Sequence, residues 1–369
     1  MPWLEWESEK IARLRRMLLA WYERNRRDLP WRNCIDPYAI WVSEVMLQQT
    51  RVAVVIERFK AFLERFPTLA ALAEAPEQEV LALWSGLGYY RRARMLHKAA
   101  QFAALHHQGM LPHSAEELRL LPGIGAYTAA AIASIAFGER AAVVDGNVER
   151  VLNRLAGWEL MGRMGSAALK RRMADLASEL VDPERPGDFN QALMELGATL
   201  CMPRNPLCLV CPLAADCKTR GEHPRTPRPP MLSREVSYAL SVRTRYGAGQ
   251  ARARGVREVL LEQRLATVSV MPSMWELPRL REAAVPENEL RMTVRHAIMQ
   301  VNYYVRIRTV FEDDVEELTV DGGNRSWIPL SDTGGLALTG LARKVLARAR
   351  LLPMAPLDVL AAPVELDLV

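Results

Sequence analysis

The sequence predicts a protein of two domains, an all-α domain followed by an α+β domain. Its 369 residues exceed the usual length of one domain, and half of them are hydrophobic, so two cores can be buried. Apolar residues recur at helical spacing through the first 200 residues, and short segments typical of strands follow after residue 235. These features predict a helical domain at 1–218, a linker at 219–234, a second domain at 235–350 and a tail at 351–369 that the pattern does not place.

Helices account for the whole of the predicted first domain. Ile11, Leu14 and Leu18 fall on one helical stripe, and Asp36 followed by Pro37 forms a helix start, with Asp as the cap and Pro in the first turn. Similar apolar spacing predicts further helices at 51–66, 91–105, 125–137, 147–156, 167–180 and 189–200.

The composition changes at TRGEHPRTPRPPMLSR, residues 219–234, whose four prolines and interspersed arginines predict a semi-extended basic linker. Strands are predicted in the segments EVSYALSV, VREVLLEQR, VNYYVRIRTV and RSWIPL. Near the end, LTGLARKVLARAR predicts one amphipathic helix, which makes the second domain α+β.

The charge balance is compatible with a nucleic-acid partner, because the net charge is +5 and the isoelectric point is about 9.0. No apolar run reaches the ~18 residues that a membrane span requires, so no membrane is expected. The N-terminus MPWLEWESEK lacks a basic region followed by an apolar stretch, which predicts a reducing cytoplasm, the cytosol or nucleoid of a bacterium.

Four cysteines form a tight C-x6-C-x2-C-x5-C run at Cys201, Cys208, Cys211 and Cys217. Four thiolates in one short stretch can close a tetrahedral site for zinc or an iron–sulfur cluster, and the chemistry alone does not choose between them. Zinc sites more often pair two C-x2-C units, so the single C-x2-C favours a cluster. Disulfides are typical of small secreted chains, and Cys34, far from the run, is interpreted as a buried apolar thiol.

A turn with the sequence P-G-x-G separates two of the predicted helices, with Pro122, Gly123 and Gly125 at its centre. The first N–H groups of the second helix have no partner within the helix, and glycine permits close approach of a phosphate. An ordinary turn between helices has the same pattern, so the turn alone does not decide between the two.

Two carboxylates stand in positions that are expected to shift their pKa values in opposite directions. Asp145 precedes a helix, where the N-terminus favours the ionised form of a carboxylate and where an ordinary cap is also expected. Glu44 lies in DPYAIWVSEVMLQQTRV, a helix apolar nearly all round, so it should be buried and its pKa should rise. A protonated Glu44 and an anionic Asp145 could divide the acid and charge-stabilising roles in the cleavage of a glycosidic bond.

Together these segments resemble the helix-hairpin-helix DNA glycosylases that carry an iron–sulfur cluster, and more narrowly the MutY-type adenine DNA glycosylases. The matching segments, in the order of the family, are LPWR (29–32), WVSEVMLQQTRV (41–52), LWSGLGYYRRAR (83–94), LPGIGAYTAAAI (121–132), VVDGNVERVL (143–152), FNQALMELGATLC (189–201) and the four-cysteine run.

The resemblance implies a [4Fe–4S] cluster on the four cysteines and a DNA phosphate bound by the hairpin at Gly123 and Gly125. It implies that double-stranded DNA is bound by a monomer, and that adenine opposite 8-oxoguanine or guanine is flipped out and removed. By the family pattern Glu44 protonates the base at N7, and Asp145 stabilises the sugar cation. By the same pattern, Tyr127 and Asn147 assist Asp145. The base pocket is lined by Trp31, Arg32, Glu44 and Gln191. The opened stack is entered by Gln49 and Tyr89.

Relatives that also nick the strand carry a lysine two residues after the second hairpin glycine, and its amine attacks the sugar. Tyr127 occupies that position, and none of the six lysines lies in the hairpin. The chain is therefore expected to be a monofunctional N-glycosylase that uses water and leaves an abasic site. A glycosylase-lyase acting on oxidised pyrimidines and a non-enzymatic DNA-binding redox sensor are the two alternatives.

The second domain resembles the Nudix-like C-terminal domain of the same family through VLLEQR, MWELP, WIPL and LARKVL. It has no Nudix pyrophosphatase signature, so the resemblance implies a reader of the lesion strand. The family's recognition loop usually runs His-x-Phe-Ser-His, whereas residues 292–296 are Met-Thr-Val-Arg-His. Arg295 thus replaces a serine and only His296 is retained, so we expect a smaller preference for 8-oxoguanine over guanine than the family pattern implies.

Overall fold

A computed structural model describes residues 6–158, 166–221, 230–246, 255–281, 287–298, 300–320 and 322–352. The central part of the predicted linker, 222–229, and most of the predicted tail, 353–369, lie outside the described residues. The chain divides into two compact units, one formed by Met1–Glu74 and Met95–Thr226 and the other by Ala75–Arg94 and Pro227–Val369. Residues 75–94, which the sequence analysis places in the helical domain, thus group with the second unit.

Helices dominate the chain up to residue 199, as the apolar spacing predicts. They are α1 Ser8–Asn25, α2 Pro37–Leu47, α3 Val52–Arg65, α4 Leu69–Glu74, α5 Glu77–Leu83, α6 Arg91–His106, α7 Ala115–Leu118, α8 Ala126–Ala136, α9 Gly146–Ala156, α10 Ser166–Leu180 and α11 Pro186–Thr199. The three that periodicity did not predict, α4, α5 and α7, have four to seven residues each, too few for a helical repeat to show. Within the described residues, no helix is both long and apolar enough to cross a bilayer.

Helix α2 follows from its local sequence. The Asp36 carboxylate accepts hydrogen bonds from the backbone N–H groups of Tyr38 at 3.1 Å and Ala39 at 3.3 Å, and Pro37 occupies the first turn. Because the helix is apolar on every side, residues 38–46 are all buried. Glu44, in the middle of this stretch, is buried with them, as the sequence predicts.

The predicted hairpin joins α7 to α8. Gly123 has φ +77°, and a Cβ built on it would lie 2.4 Å from the Cβ of Met95, so glycine is required there. Gly125 is the N-cap residue of α8, and it has no side chain to accept a hydrogen bond from the first N–H groups of the helix. The start of α8 is therefore available to a ligand from outside the protein.

Packing among α1, α9, α10 and α11 forms a large core in the first unit, represented by Leu18, Leu152 and Phe189. A buried amide ties this core to the segment before α9. Asn190 accepts a hydrogen bond from the Val143 N–H at 3.2 Å and donates to the Ala141 carbonyl at 2.8 Å. This contact fixes the strand-like approach of the chain to Asp145.

Beyond residue 230, the described part of the second unit forms two sheets and two α-helices, which confirms the α+β prediction. Its elements are β1 Leu232–Leu240, β2 Val242–Arg245, β3 Val256–Arg264, β4 Trp275–Glu276, β5 Leu290–Ile298, β6 Val301–Thr309, α12 Val315–Leu318, β7 Gly323–Pro329 and α13 Gly340–Arg348. One sheet has the order β1-β6-β5, with β1 and β6 parallel, and in the other β3 pairs with β2, β4 and β7. Apolar residues of α13 such as Val345 pack in one core with Val305 of the first sheet and Val259 of the second.

The segment Met292–His296 lies on β5, so the expectation of a recognition loop was wrong. Arg295 pairs with Tyr304 and His296 with Tyr303 in an antiparallel register with β6. Val294 is buried, whereas Thr293 and Arg295 are exposed, and this alternation is that of a half-buried strand. The sequence lacks the polar turn residues that would keep such a segment out of the sheet.

Candidate functional site

An open cleft of about 960 Å³ in the first unit is lined by residues around α2, α8, α9 and α11. It contains ten of the residues that the sequence analysis singled out, namely Trp31, Arg32, Glu44, Gln49, Gly123, Gly125, Tyr127, Asp145, Asn147 and Gln191. These residues come from five separate stretches of sequence. The fold therefore brings both candidate carboxylates, the hairpin and the predicted base pocket to one cavity.

Glu44 is the most strongly perturbed acid of this cleft. Only 5% of its surface is exposed, and burial raises its pKa to about 7, as predicted. The negative charge of Asp145 adds to the rise, whereas the positive charge of Arg32 acts against it. An acid with a pKa near neutrality can hold a proton at physiological pH and release it to a neighbouring group.

Tyr127 is the direct partner of Glu44. Its hydroxyl donates a hydrogen bond to Oε2 of Glu44 at 2.6 Å and lies 3.5 Å from the Met194 sulfur. Burial, with the nearby charge of Glu44, raises the pKa of the tyrosine well above its usual value, so the phenol stays protonated and acts as a donor. Among the described residues that line the cleft there is no lysine.

Asp145 is both a helix cap and a cleft residue. Its Oδ1 accepts hydrogen bonds from the backbone N–H groups of Asn147 at 2.9 Å and Val148 at 2.7 Å, at the start of α9. Its Oδ2 accepts a bond from the side-chain amide of Asn147 at 3.0 Å. Three donors thus hold the carboxylate in one orientation at the N-terminus of α9.

Hydrogen bonds continue from Asn147 to the cysteine run. The Asn147 Oδ1 accepts from Nη2 of Arg150 at 2.9 Å, and Nε of Arg150 donates to the carbonyl of Cys201 at 2.7 Å. At Gly197 of α11 an added Cβ would lie 2.7 Å from the Asn147 Cβ, so only glycine lets the two helices approach this closely. Asp145 is therefore connected to Cys201 through two side chains of α9.

A buried ion pair forms the opposite wall, and the sequence analysis missed its acid. Glu195, buried on α11, accepts hydrogen bonds from Nε of Arg27 at 2.7 Å and from Nη2 of Arg32 at 2.5 Å. Although burial acts to raise the pKa of Glu195, the two guanidinium groups hold it below its usual value. The signal that could have identified it is an acid inside the otherwise apolar stretch ALMELGAT.

Two further predicted pocket residues are held in place by neighbours. Gln191 accepts a hydrogen bond from the Tyr22 hydroxyl through its Oε1 at 3.2 Å, and the same hydroxyl accepts one from Nη1 of Arg32 at 3.2 Å. The Trp31 ring is buried and meets the ring of Phe59 edge-on at 5.5 Å. The predicted base pocket is thus built from side chains that are fixed before any ligand enters.

The four cysteines of the run are free thiols, each partly buried, so no disulfide joins them. Burial raises the pKa of Cys211 to about 11, and the nearby Cys201, Cys208 and Cys217 act in the same direction, so the four sulfurs are neighbours. Their donor set of four thiols fits a tetrahedral S₄ site. Even so, in the part of the chain that the structure describes, no three metal-ligating side chains stand in an arrangement ready to hold an ion.

Cys34 differs from its prediction, because it is only partly buried. Its sulfur accepts a hydrogen bond from the Asp36 N–H at 3.3 Å. Cys34 precedes α2 by three residues, so it lies outside the buried stretch 38–46 of that helix.

Besides the four cysteines, three predicted site residues are not part of the cleft. Tyr89, Arg295 and His296 belong to the second unit. Tyr89 is 57% exposed and has φ +47°, and Gln49, in the cleft of the first unit, has φ +55°. Residues other than glycine rarely adopt this left-handed conformation, and when they do they are often functional.

Comparisons with known proteins agree with this geometry. Residues 42–166 match the HhH-GPD superfamily of base excision DNA repair proteins. The chain is 49% identical over 220 residues to an adenine DNA glycosylase of Homo sapiens, covering 57% of this chain and 40% of that protein. It is 43% identical over 216 residues to an adenine DNA glycosylase of Mycobacterium tuberculosis, covering 58% of this chain and 70% of that protein.

Among solved structures, a thermostable thymine-DNA glycosylase superposes with a TM-score of 0.53 at 30% identity, covering 57% of this chain and 96% of that one. The chain spans about two fifths of the length of the mammalian relatives that it matches.

The substitution Glu44→Gln is expected to stabilise the fold at high pH and to have little such effect at low pH. The folded protein retains the Glu44 proton up to about pH 7, whereas the unfolded chain releases it near the ordinary glutamate value. Stability is therefore lost as the pH rises between these two values, by about 3 kcal/mol in total. The variant has no such titration, because an amide does not ionise.

Urea unfolding of the two proteins from about pH 5 to about pH 8.5 measures this difference. Glu64→Gln, at an exposed position of α3, is the matched control and should show no pH-dependent gain. A difference between wild type and Glu44→Gln that stays constant across this range would mean that Glu44 is not held protonated by the fold.

Proposed function

Because the chain belongs to the adenine DNA glycosylase family of the HhH-GPD superfamily, we propose that it releases adenine from duplex DNA by hydrolysing the N-glycosidic bond. The observation that carries the proposal is the buried Glu44, with a pKa of about 7, in the same cleft as the anionic cap Asp145. An acid held protonated beside a fixed anion suits departure of a base from a sugar that becomes positively charged.

Glu44 acts as the general acid in this proposal. Tyr127 donates to its Oε2, which leaves Oε1 to carry the proton. Burial keeps that proton on the carboxyl at neutral pH, and a flipped adenine offers N7 as the basic atom to accept it. Protonation converts the base into a better leaving group.

Asp145 stabilises the sugar cation as the bond breaks. Its orientation is set by α9 and by Asn147, so no reorganisation is needed when the positive charge develops. Its negative charge also raises the pKa of Glu44, which helps that acid to hold its proton.

Water is the nucleophile in the proposed reaction, and the product is an abasic site. Tyr127 occupies the position where strand-nicking relatives carry a lysine, and its phenol is already bound to Glu44. Its high pKa also makes it a poor nucleophile at neutral pH. A lyase reaction through a Schiff base therefore has no amine in this position.

The remaining cleft residues are proposed to bind the flipped nucleotide. Arg32 and Gln191 supply polar groups at the base pocket, and Trp31 supplies an apolar face. Gln49, exposed and held in a left-handed conformation, would fill the gap that the flipped base leaves in the stack. The uncapped start of α8 beside Gly125 is suited to a DNA phosphate.

A [4Fe–4S] cluster is proposed to be held by Cys201, Cys208, Cys211 and Cys217. Such a group would supply four strong bonds that fix the loop after α11. Arg154 donates to the Cys201 sulfur at 3.3 Å, a hydrogen bond that orients one of the proposed ligands. Leu213, between the last two cysteines, is buried against the main core, which anchors this loop to α11.

The second unit is proposed to be a Nudix-like domain that contacts the strand opposite the adenine, with 8-oxoguanine or guanine as the opposing base. Its paired strand β5 exposes Arg295, whose guanidinium lies 5.9 Å from the Tyr304 ring. Arginine only donates hydrogen bonds, so it suits the two acceptors N7 and O6 of guanine. It cannot accept from the N7–H of 8-oxoguanine, as the family's serine could.

The proposed activity is tested by adenine release from duplexes with adenine opposite 8-oxoguanine, guanine or cytosine. Glu44→Gln is expected to lower release by ~10²–10⁴-fold or more while duplex binding survives, because the amide has no acidic proton. Asp145→Asn is expected to be nearly inactive yet folded, since asparagine still caps a helix with a change of only about a few tenths of a kcal/mol.

Asp36→Asn is the matched control, because Asp36 caps α2 without lining the cleft, and it should leave the rate unchanged. Activity of Glu44→Gln within a few-fold of wild type would remove Glu44 from the mechanism. If Asp145→Asn fails to fold, its capping role dominates. Strand nicking without alkali would indicate a lyase.

Purified protein is expected to be brown and to contain about four irons per chain, as four cysteine ligands imply. Cys208→Ser should lose iron and lower the affinity for duplex DNA, whereas Cys34→Ser, outside the run, should change neither. Metal analysis together with a filter-binding titration measures both effects. Stoichiometric zinc without iron would overturn the cluster.

Arg295→Ser is expected to increase the preference for 8-oxoguanine over guanine by the equivalent of one good contact, ~1–3 kcal/mol. Arg291→Ser, exposed on the same strand, is the matched control for loss of one positive charge. Binding and single-turnover release of adenine are measured with 8-oxoguanine and with guanine as the opposing base. The ratio of the two results gives the preference. An unchanged ratio in Arg295→Ser would show that β5 does not read the opposing base.

A further inference from the structure

The turn between α5 and α6 has an unusual concentration of left-handed backbone. Gly86 has φ +95°, Gly88 has φ +69° and Tyr89 has φ +47°. Glycine adopts this conformation freely, but tyrosine does so only where its surroundings enforce it. Something in the turn must therefore hold Tyr89 in place.

Residues on both sides of Tyr89 anchor the turn. Leu87 and Tyr90 are buried, and the Tyr90 hydroxyl donates to the Leu338 carbonyl at 3.2 Å within the second unit. Trp84 is fully buried, and its indole N–H donates to the Gly88 carbonyl at 3.1 Å. Between these anchors the Tyr89 ring points outward and is 57% exposed.

Arg92 binds the backbone of the turn. Its Nη2 donates to the carbonyls of Leu87 at 2.9 Å and Gly88 at 3.1 Å. Its guanidinium carbon lies 5.5 Å from the Trp84 ring and 5.6 Å from the Tyr89 ring. One planar cation thus binds the two strained peptide groups and contacts both aromatic rings.

The Arg92 side chain is partly buried, and this burial lowers its pKa to about 10. Cation–π contacts and hydrogen bonds to carbonyls are stronger when the cation is desolvated. Only arginine offers several N–H donors in one plane together with a flat face, and lysine offers neither geometry.

We propose that Arg92 is a positioning residue that holds the Tyr89 ring as a preformed intercalating group for opening the DNA stack. The inference rests on the proposed function, in which a base is flipped out of the duplex, and on the family resemblance, which implies that Tyr89 enters the opened stack. Without Arg92 the left-handed turn relaxes and the exposed ring samples many directions. Opening of the duplex then slows, whereas chemistry on an adenine that is already unstacked does not.

The test uses a duplex with 2-aminopurine in place of the target adenine, whose fluorescence rises when it leaves the stack. The variants are Arg92→Met, Tyr89→Ala and the double variant, with Arg91→Met, at the exposed neighbouring position, as the control. Arg92→Met and Tyr89→Ala should each slow the fluorescence rise by on the order of 10-fold, the size of one base–aromatic stack. The double variant should be no slower than Tyr89→Ala, because Arg92 acts through Tyr89.

A second substrate separates positioning from general stability. Release of an unpaired, bulged adenine should proceed in Arg92→Met within about two-fold of wild type, because an unstacked base needs no opening. Equal losses on paired and bulged adenine, or losses that add in the double variant, would overturn the inference. A Tyr89→Ala variant that opens the duplex as fast as wild type would also overturn the inference. Arg92→Lys, which keeps the stem and the charge, replaces Arg92→Met if that variant does not fold.

Failure of the proposed function has a different signature. If wild type opens the duplex but releases no adenine, the glycosylase assignment fails while the fluorescence comparison still decides the role of Arg92. If wild type neither opens the duplex nor differs from Arg92→Met, both fail.

Discussion

Desolvation of one carboxyl group is the constraint on which the cleft depends. A glutamate in the middle of an otherwise apolar helix would normally be excluded from a core, because the charged form loses its hydration. Glu44 is retained there in a largely protonated form, with the Tyr127 hydroxyl bound to one of its oxygens. The arrangement weakens the fold at high pH and creates an acid at neutral pH. Such a trade-off between stability and activity is expected of a catalytic group.

The second carboxylate, Asp145, is both a helix cap and a group proposed to take part in the reaction. Asp145 would be needed as a cap even in a protein without activity, because α9 begins there. The two hydrogen bonds that satisfy backbone N–H groups of the helix, together with a third from the Asn147 side chain, also orient the carboxylate in the cleft. Through Asn147 and Arg150 that anion is joined to the backbone of Cys201, so the geometry of the cleft and that of the cysteine run are physically connected.

Two buried acids, one in each unit, differ in their partners and in the direction of their pKa shifts. In the first, Glu195 pairs with Arg27 and Arg32 and keeps its charge, so the pocket wall is polar and rigid. In the second, Glu276 is buried with a hydroxyl and a backbone N–H as partners, and burial raises its pKa to about 7. Pairing with a cation decides which buried acid stays ionised.

Local features were predictable from the sequence because they depend on residues within one or two turns of each other. The longer helices, the caps at Asp36 and Asp145, the glycine turn and the burial of Glu44 all follow from short-range patterns, and the structure confirms them. The resemblance to known glycosylases added the roles of these residues, which remain predictions. Helices as short as α7 were not predicted from apolar spacing, because four residues contain no helical repeat.

Only the tertiary structure decided which distant groups meet. Tyr127 and Glu44 are 83 residues apart, and Arg27 and Glu195 are 168 apart, so neither contact leaves a periodic signal in the sequence. The segment at Arg295 has no fixed conformation of its own, and pairing with β6 makes it a strand. Likewise the strained turn at Tyr89 exists because Trp84 and Arg92 hold its carbonyls. Sequence determines which residues prefer burial, caps or turns, but the energies of charge pairing and strand pairing depend on neighbours that only the complete fold supplies.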